Sequence, residues 1–148
     1  DVLLDGKKVC GVLAEAQWSG NQARGLILGI GINVAARSVR PAKALSFPAT
    51  SVEGALGRPV DRAELLGAVL GRLFDWLGRL DSADFVAAWQ QRLAYLDQPV
   101  TLAIGAAAPP LQATLRGLAA DGSLRVELAD GRQKDFAAGE ITLRPAAK

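Results

Sequence analysis

Lys8-Val9-Cys10-Gly11-Val12-Leu13-Ala14-Glu15-Ala16 and Gly25-Leu26-Ile27-Leu28-Gly29-Ile30-Gly31-Ile32-Asn33-Val34 decide how the first part of this chain folds. Both are short apolar runs containing β-branched residues. The second carries too many glycines for a helix, because each glycine costs close to 1 kcal/mol in a helix interior. Between them, Trp18-Ser19-Gly20-Asn21-Gln22 is a turn cluster. Two strand-like runs joined by a short polar link predict an antiparallel pair. Apolar residues on both faces predict a central, covered position in a sheet.

Upstream, Asp1 leads straight into the apolar Val2-Leu3-Leu4, with no start methionine, so the chain reads as the continuation of something before it. Downstream, residues 35–49 have little periodicity, two prolines and the cations Arg37, Arg40 and Lys43, and they predict a loop. Thr50-Ser51-Val52-Glu53 has the spacing of a capping box and opens a short helix that Gly57 and Pro59 end. Asp61, with Glu64 behind it, caps the clearest helix. Leu65, Leu66, Val69, Leu70, Leu73, Phe74, Leu77 and Leu80 recur along it at helical spacing. A further helix starts at Ser82 or Asp84 and turns Phe85, Val86, Trp89, Leu93 and Leu96 inward. The two helices are expected to pack as a pair on the sheet.

From Pro99 the pattern becomes that of short strands, at 100–104, 111–118, 123–128, 133–136 and 140–143. Asp121-Gly122 and Asp130-Gly131 separate three of them and favour tight hairpins. So many short strands in so little chain suit a small barrel. The expected class is α+β, a mixed sheet with packed helices followed by a small barrel. The expected domains are 1–97 and 98–148.

Composition limits the function. The chain has 148 residues, half of them hydrophobic and 22% charged, an ordinary globular balance. A net charge of +2 gives no support to bulk nucleic-acid binding. One cysteine and no histidine exclude a Cys/His zinc site and an internal disulfide framework. No apolar run reaches the ~18 residues a membrane span needs. Without export signals or disulfides, a cytoplasmic protein is expected.

Taken in order, three stretches resemble the bacterial biotin–protein ligase family. Asp1 to Glu15 is similar to the family segment running from the Asp of a Trp-Pro-Asn-Asp motif to a Lys-hydrophobic-x-Gly-hydrophobic-Leu-x-Glu strand. Gly29-Ile30-Gly31-Ile32-Asn33-Val34 is similar to its Gly-x-Gly-Ile-Asn strand. Gly139-Glu140-Ile141-Thr142-Leu143-Arg144 is like the end of its C-terminal barrel, and Ala49-Thr50-Ser51-Val52 suits its loop-to-helix transition. Each motif alone is a weak signal, while the ordered set is specific. The family's N-terminal half, with its glycine/arginine-rich loop and part of the biotin pocket, has no counterpart in this sequence. The resemblance implies part of a class II aminoacyl-tRNA-synthetase-like catalytic domain followed by an SH3-like barrel. It implies ATP-dependent conversion of biotin to biotinyl-5'-AMP and transfer to a lysine of the biotin carboxyl carrier protein of acetyl-CoA carboxylase. Mg²⁺ is the expected metal and a homodimer the expected assembly. DNA binding is not expected of this chain. A lipoate–protein ligase shares the catalytic architecture and stands as the alternative. A non-catalytic binding or dimerisation module is the alternative of another class.

Candidate site residues follow. Joining a carboxylate to a phosphate brings two anions together, so the site must neutralise charge as the transition state forms. By resemblance Lys8 does this, reaching both the biotin carboxylate and the α-phosphate. On residue statistics alone it would be a solvated turn lysine, the reading kept for Lys7. Gly11 and Val12 would offer main-chain groups to biotin, with Leu13 nearby. A glycine in a strand also marks a bulge or a bend. Gly29 and Gly31 alternate on one face and leave a shallow slot, suited to a flat ligand or to close packing of a helix. No third glycine and helix follow, so this is not a dinucleotide fingerprint. Asn33 would contact phosphates, together with Asp1, through Mg²⁺. A turn asparagine ending a strand is the plain alternative for Asn33. Glu140 and Arg144 would face the nucleotide from the last strand, or form a surface ion pair of little energy. Arg37, Arg40, Lys43 and Phe47 lie where the family closes over adenine, although a solvated loop explains them as well. Cys10 reads as a small buried hydrophobe. Lys8 and Asn33 are expected to face one common pocket.

Overall fold

The computed structural model describes residues 1–39, 41, 47–104, 109–137 and 141–145. Arg40, Lys43 and Glu140 lie outside the described residues. The chain forms two compact units, 1–72 and 73–148. The second begins upstream of the change expected at Asp97.

The first unit is built on a three-stranded antiparallel sheet in the order β1-β2-β3, with β1 Val2–Leu4, β2 Lys7–Ser19 and β3 Gln22–Ile32. Asp5 and Gly6, both with positive φ, make the two-residue turn between β1 and β2. That backbone matches the right-handed twist of the flanking strands. Gly20, at positive φ, supplies the corresponding turn between Ser19 and Gln22. The expected antiparallel pair is therefore present. Its covered position is not. Val12, Leu13, Leu26, Ile27, Leu28 and Ile30 are all exposed. The reason is that β1 pairs with β2 only from Lys7 to Cys10, so the rest of the hairpin stands as a two-stranded ribbon.

The loop after β3 contains one 3₁₀ turn, Ala36–Ser38, which carries Arg37. The chain then returns to β2. The Lys8 amide donates to the Pro48 carbonyl at 2.8 Å, and Thr50 donates to the Lys8 carbonyl at 2.9 Å, a short parallel bridge through Ala49. Helix α1, Val52–Leu56, follows. Its cap is Ser51, whose hydroxyl accepts from Gly54, and Gly57 closes it in the left-handed conformation. The expected capping box does not form, because Glu53 accepts instead from the Val60 amide beyond the helix. Asp61 does cap helix α2, Arg62–Leu77, accepting from Ala63 and Glu64 at 2.8 and 2.9 Å. The apolar stripe of α2 splits in two. Leu65, Val69, Leu73 and Trp76 are half-buried, whereas Leu66, Leu70, Phe74 and Leu77 are exposed.

In the second unit, helix α3, Ala83–Gln90, is capped by Ser82, whose hydroxyl accepts from Phe85. Phe85 meets Trp76 edge-on with ring centroids 5.6 Å apart. Strands β4 Pro99–Ile104, β5 Leu111–Leu118, β6 Leu124–Glu127, β7 Gln133–Phe136 and β8 Ile141–Pro145 form one antiparallel sheet, in the order β7-β6-β5-β4-β8. All five expected strands are present. Among the described residues no ladder joins β7 to β8, so what they show of the expected barrel is its five-stranded antiparallel sheet. Val100, Leu102, Leu115 and Val126 are fully buried in its core, with Phe136 beside them. The Asp-Gly pairs act in three-residue loops: Ala119 donates to Ser123 and Leu128 to Arg132, with Gly122 and Gly131 at positive φ. Helix α3 packs on this sheet. Gln90 covers Gly117, and the Trp89 ring lies 3.0 Å from where a Cβ on Gly122 would sit.

Arg125 and Asp135 pair through two 2.8 Å hydrogen bonds across β6 and β7. The guanidinium holds the Asp135 carboxyl below its ordinary range, and the Ser123 amide does the same for Asp121. A carboxylate with a lowered folded-state pKa stabilises the fold above its unfolded value, near 3.9. That contribution is lost as pH falls through the lower folded value. Thermal midpoints measured from pH 7 to pH 2 should therefore fall in acid, and Asp135→Asn should make the acid slope shallower. An unchanged slope would remove Asp135 as a contributor.

Candidate functional site

The site is assembled from one irregularity in β2 and one pattern shared by β2 and β3. Val2 pairs with Cys10 but Leu3 pairs with Lys8, so β2 takes two steps while β1 takes one. Val9 is the extra residue of a bulge. A bulge re-aims the side chains beside it, and strands carry them next to functional sites. Strict alternation would put Lys8 and Gly11 on opposite faces. Here the Lys8 ammonium reaches over Gly11, with its Nζ 3.6 Å from the place a Cβ on Gly11 would occupy. The same ammonium pairs with the Asp1 carboxylate at 2.7 Å. Both side chains keep contact with solvent, 39% and 46% exposed, so the pair contributes little to stability and remains open to exchange for another anion.

The shared pattern is a floor of glycine. Gly11 pairs with Gly31, and Leu13 pairs with Gly29. Directly paired residues project to the same face, so three glycines fall together with only Leu13 among them. A Cβ on Gly31 would meet nothing nearer than the Gly11 carbonyl at 3.9 Å. The bare stretch ends at the next pair on that face, Glu15 with Ile27. Two pairs correspond to about 7 Å of strand. An elongated apolar chain could lie on this floor with an anionic end at Lys8.

The sequence candidates divide accordingly. Lys8, Asp1 and Gly11 come together, and Gly29 and Gly31 lie on the same face of the ribbon. Val12 belongs to the opposite face, paired with Ile30, so only its main chain can serve the track. Asn33 follows β3 directly. Its amide donates to the Val9 carbonyl at 2.8 Å and its side-chain N–H to the Thr50 carbonyl at 3.2 Å. It ties the strand exit to the segment that also bonds Lys8, a structural job that the turn-asparagine reading anticipated. Arg144 is on β8, opposite Thr101, in the second unit. Phe47 stands just before the Ala49 bridge and is half-buried. Cys10 is 7% exposed, and burial pushes its thiol pKa up, which suits a packing role and not a nucleophile. The Val9 bulge and the Ala49 bridge were not foreseen. Neither has a sequence signal beyond the Asp5-Gly6 turn that sets the β1–β2 register.

Mg²⁺ can be tested against these residues. Among the described residues no group of three or more His, Cys, Asp or Glu could hold a metal. Asp1 offers one carboxylate, shared with Lys8. That suits an ion carried by nucleotide phosphates, which needs only one or two protein carboxylates, and does not suit a dedicated cage. No helix among the described residues is long and apolar enough to cross a membrane.

Known proteins share this arrangement of elements. The family model described as biotin protein ligase C terminal domain matches residues 95–144. The biotin–[acetyl-CoA-carboxylase] ligase of Paracoccus denitrificans is 36% identical over 114 residues, which is 72% of this chain and 46% of that protein. The bifunctional ligase/repressor BirA of Escherichia coli K12 is 28% identical over 151 residues, covering 100% of this chain and 46% of that protein. The chain thus spans less than half the length of these relatives. The crystal structure of biotin protein ligase from Aquifex aeolicus superposes with a TM-score of 0.79 at 29% identity, over 97% of this chain and 61% of that one. The same enzyme in complex with biotin and ATP gives 0.76 over 97% and 58%. With a C-terminal domain of that name at its end and relatives of that kind along its length, the chain belongs to the biotin protein ligase family.

Proposed function

We propose that this chain carries the carboxylate-holding strands of a biotin–protein ligase, which activates biotin with ATP and passes it to a lysine of a carrier protein. The observation that carries the reading is the Lys8 ammonium, held by a bulge over a floor of Gly11, Gly29 and Gly31. Biotin is a bicyclic ring on a flexible apolar arm that ends in a carboxylate. The arm would lie along the glycine floor and the carboxylate would displace Asp1 from Lys8. In the first step the carboxylate oxygen attacks the α-phosphate of ATP, a P–O bond forms, and pyrophosphate leaves. Lys8 offsets the repulsion between the two anions and the charge that develops on the phosphate. Mg²⁺ bound with the nucleotide neutralises phosphate charge, and Asp1 would contribute one oxygen to it. In the second step the carrier lysine amine attacks the acyl carbon of the mixed anhydride, AMP leaves and an amide remains. Asn33 holds the strand exit that keeps this floor in register, and Glu140 and Arg144 are the candidate nucleotide contacts. A homodimer through the edge of β3 that no described strand pairs and a cytoplasmic location go with this reading.

Titration calorimetry of the folded chain with biotin and MgATP, coupled to a pyrophosphate assay, tests it. Biotin-dependent heat with pyrophosphate release is expected. Heat with lipoate in place of biotin would move the assignment to the sister ligases. No heat beyond dilution with either acid would overturn it.

A further inference from the structure

Lys8 has a strand neighbour on each side, Leu3 of β1 on one and Ala49 on the other. The Ala49 side is the one that β3 occupies from Cys10 onward and leaves after Ile32. There the segment from Pro48 to Thr50 takes over. Pro48 accepts from the Lys8 amide at 2.8 Å, and Thr50 donates to the Lys8 carbonyl at 2.9 Å. Asn33, half-buried, stands where one partner gives way to the other and bonds both. Its amide donates at 2.8 Å to the carbonyl of Val9, the extra residue of the bulge. Its side-chain N–H donates to the Thr50 carbonyl at 3.2 Å, and its own carbonyl accepts from Val52 at 2.8 Å. The carbonyls of Lys8 and Val9 are therefore held in succession, the first by Thr50 and the second by Asn33.

These main-chain bonds bear on a side chain, because the bulge is what turns the Lys8 ammonium over Gly11. A lysine stem is flexible, so the resting place of its ammonium depends on the main chain at its root. We propose that Asn33 is a positioning residue for Lys8, acting through its side-chain N–H on the Thr50 carbonyl and not as a ligand of phosphate or of a metal ion. The proposal rests on the reading of Lys8 as the cation that meets the biotin carboxylate and the α-phosphate. The bond to Thr50 needs a side-chain donor, since the main-chain N–H of Asn33 is already committed to Val9. An ionised aspartate has acceptors only and would set a carboxylate against the Thr50 carbonyl. A magnesium ion, by contrast, favours a carboxylate oxygen. The two roles therefore part at Asn33→Asp.

The test compares Asn33→Asp and Asn33→Ala in the full chain, with Asn21→Asp, at an exposed asparagine of the hairpin turn, as the control. Amide exchange is read first, without any ligand. The Lys8 and Thr50 amides should exchange about five- to tenfold faster in both Asn33 variants, the effect of one lost hydrogen bond. Amides in the β2–β3 ladder beyond Gly11 should keep their rates. In biotin-dependent pyrophosphate release, kcat should fall about 10- to 100-fold in both, with the KM for MgATP kept, because the ammonium is misplaced and not removed. In a Lys8→Ala background, adding Asn33→Asp should cost nothing further, since its effect runs through the missing ammonium. Asn21→Asp should match the parent throughout. Unchanged exchange at Lys8 and Thr50 would overturn the proposal. So would parent-like activity in Asn33→Asp beside loss in Asn33→Ala, the mark of an oxygen ligand. Faster exchange along the whole ladder, or additive losses in the double variant, would overturn it as a general loosening of the sheet. A parent chain that releases no pyrophosphate would sink the ligase reading, while the exchange rates would still decide whether Asn33 holds Lys8.

Discussion

Lys8→Ala should lower biotin-dependent pyrophosphate release by about 10²–10³-fold, the usual effect of removing one preorganised group that stabilises transition-state charge. The chain itself should stay folded. Lys8 contributes to the fold mainly through its backbone, which bonds Pro48 and Thr50, and that survives truncation of the side chain. Its ion pair with Asp1 is half in solvent and is worth about 0–1 kcal/mol at most. Activity and stability should therefore separate, and thermal melting beside the pyrophosphate assay reads both. Lys7→Ala is the matched control. Lys7 is the neighbouring cation, before the bulge and paired with Leu4 at the hairpin turn, and its loss should leave the rate unchanged. A Lys8→Ala protein that releases pyrophosphate within a few-fold of the parent would remove the ammonium from the chemistry, however well placed it looks.

Most secondary structure was legible because it rests on local chemistry. Asp61 caps the helix it was expected to cap, and of Ser82 and Asp84, the two candidates for the next helix, Ser82 does so. Gly57 stops α1, and the Asp-Gly pairs turn the C-terminal hairpins. Strand positions from Pro99 onward fell within a residue or two because alternation and turn residues agree there. Failures arose where distant residues compete. Glu53 had the spacing for a capping box but found the Val60 amide instead. The burial expected of β2 and β3 follows from their composition, and composition is silent on whether the covering elements are present. Trp89 belongs to the inward pattern of its helix, but nothing in that pattern names its partner, Gly122 in the hairpin between β5 and β6. For the site, Lys8 and the glycines could be singled out by residue type and resemblance. Their meeting could not, since it depends on a register shift at Val9 that no residue type announces.

Gly31→Val is the sharper test of the floor, because it should weaken ligand binding while leaving the strand sound. Gly31 sits in β3 without a positive φ, so a β-branched residue is compatible with its backbone. The nearest atom to the new Cβ is the Gly11 carbonyl oxygen at 3.9 Å, an ordinary contact. Valine also favours strands where glycine weakens them, so the melting temperature should hold or rise. The isopropyl group would stand in the track beside Lys8, where the arm of biotin is proposed to lie. Overpacking of about 1–3 kcal/mol corresponds to biotin binding weakened roughly 5- to 150-fold. Gly25→Val gives the comparison. Gly25 is on the same face of β3 and its added Cβ meets nothing within 4 Å, but it pairs with Gln17, roughly 20 Å further along the strand. It should gain the same strand propensity and keep its affinity. Equal loss in both variants would mean that valine acts through the ribbon and not the floor. No loss in Gly31→Val would mean that no ligand arm crosses that residue.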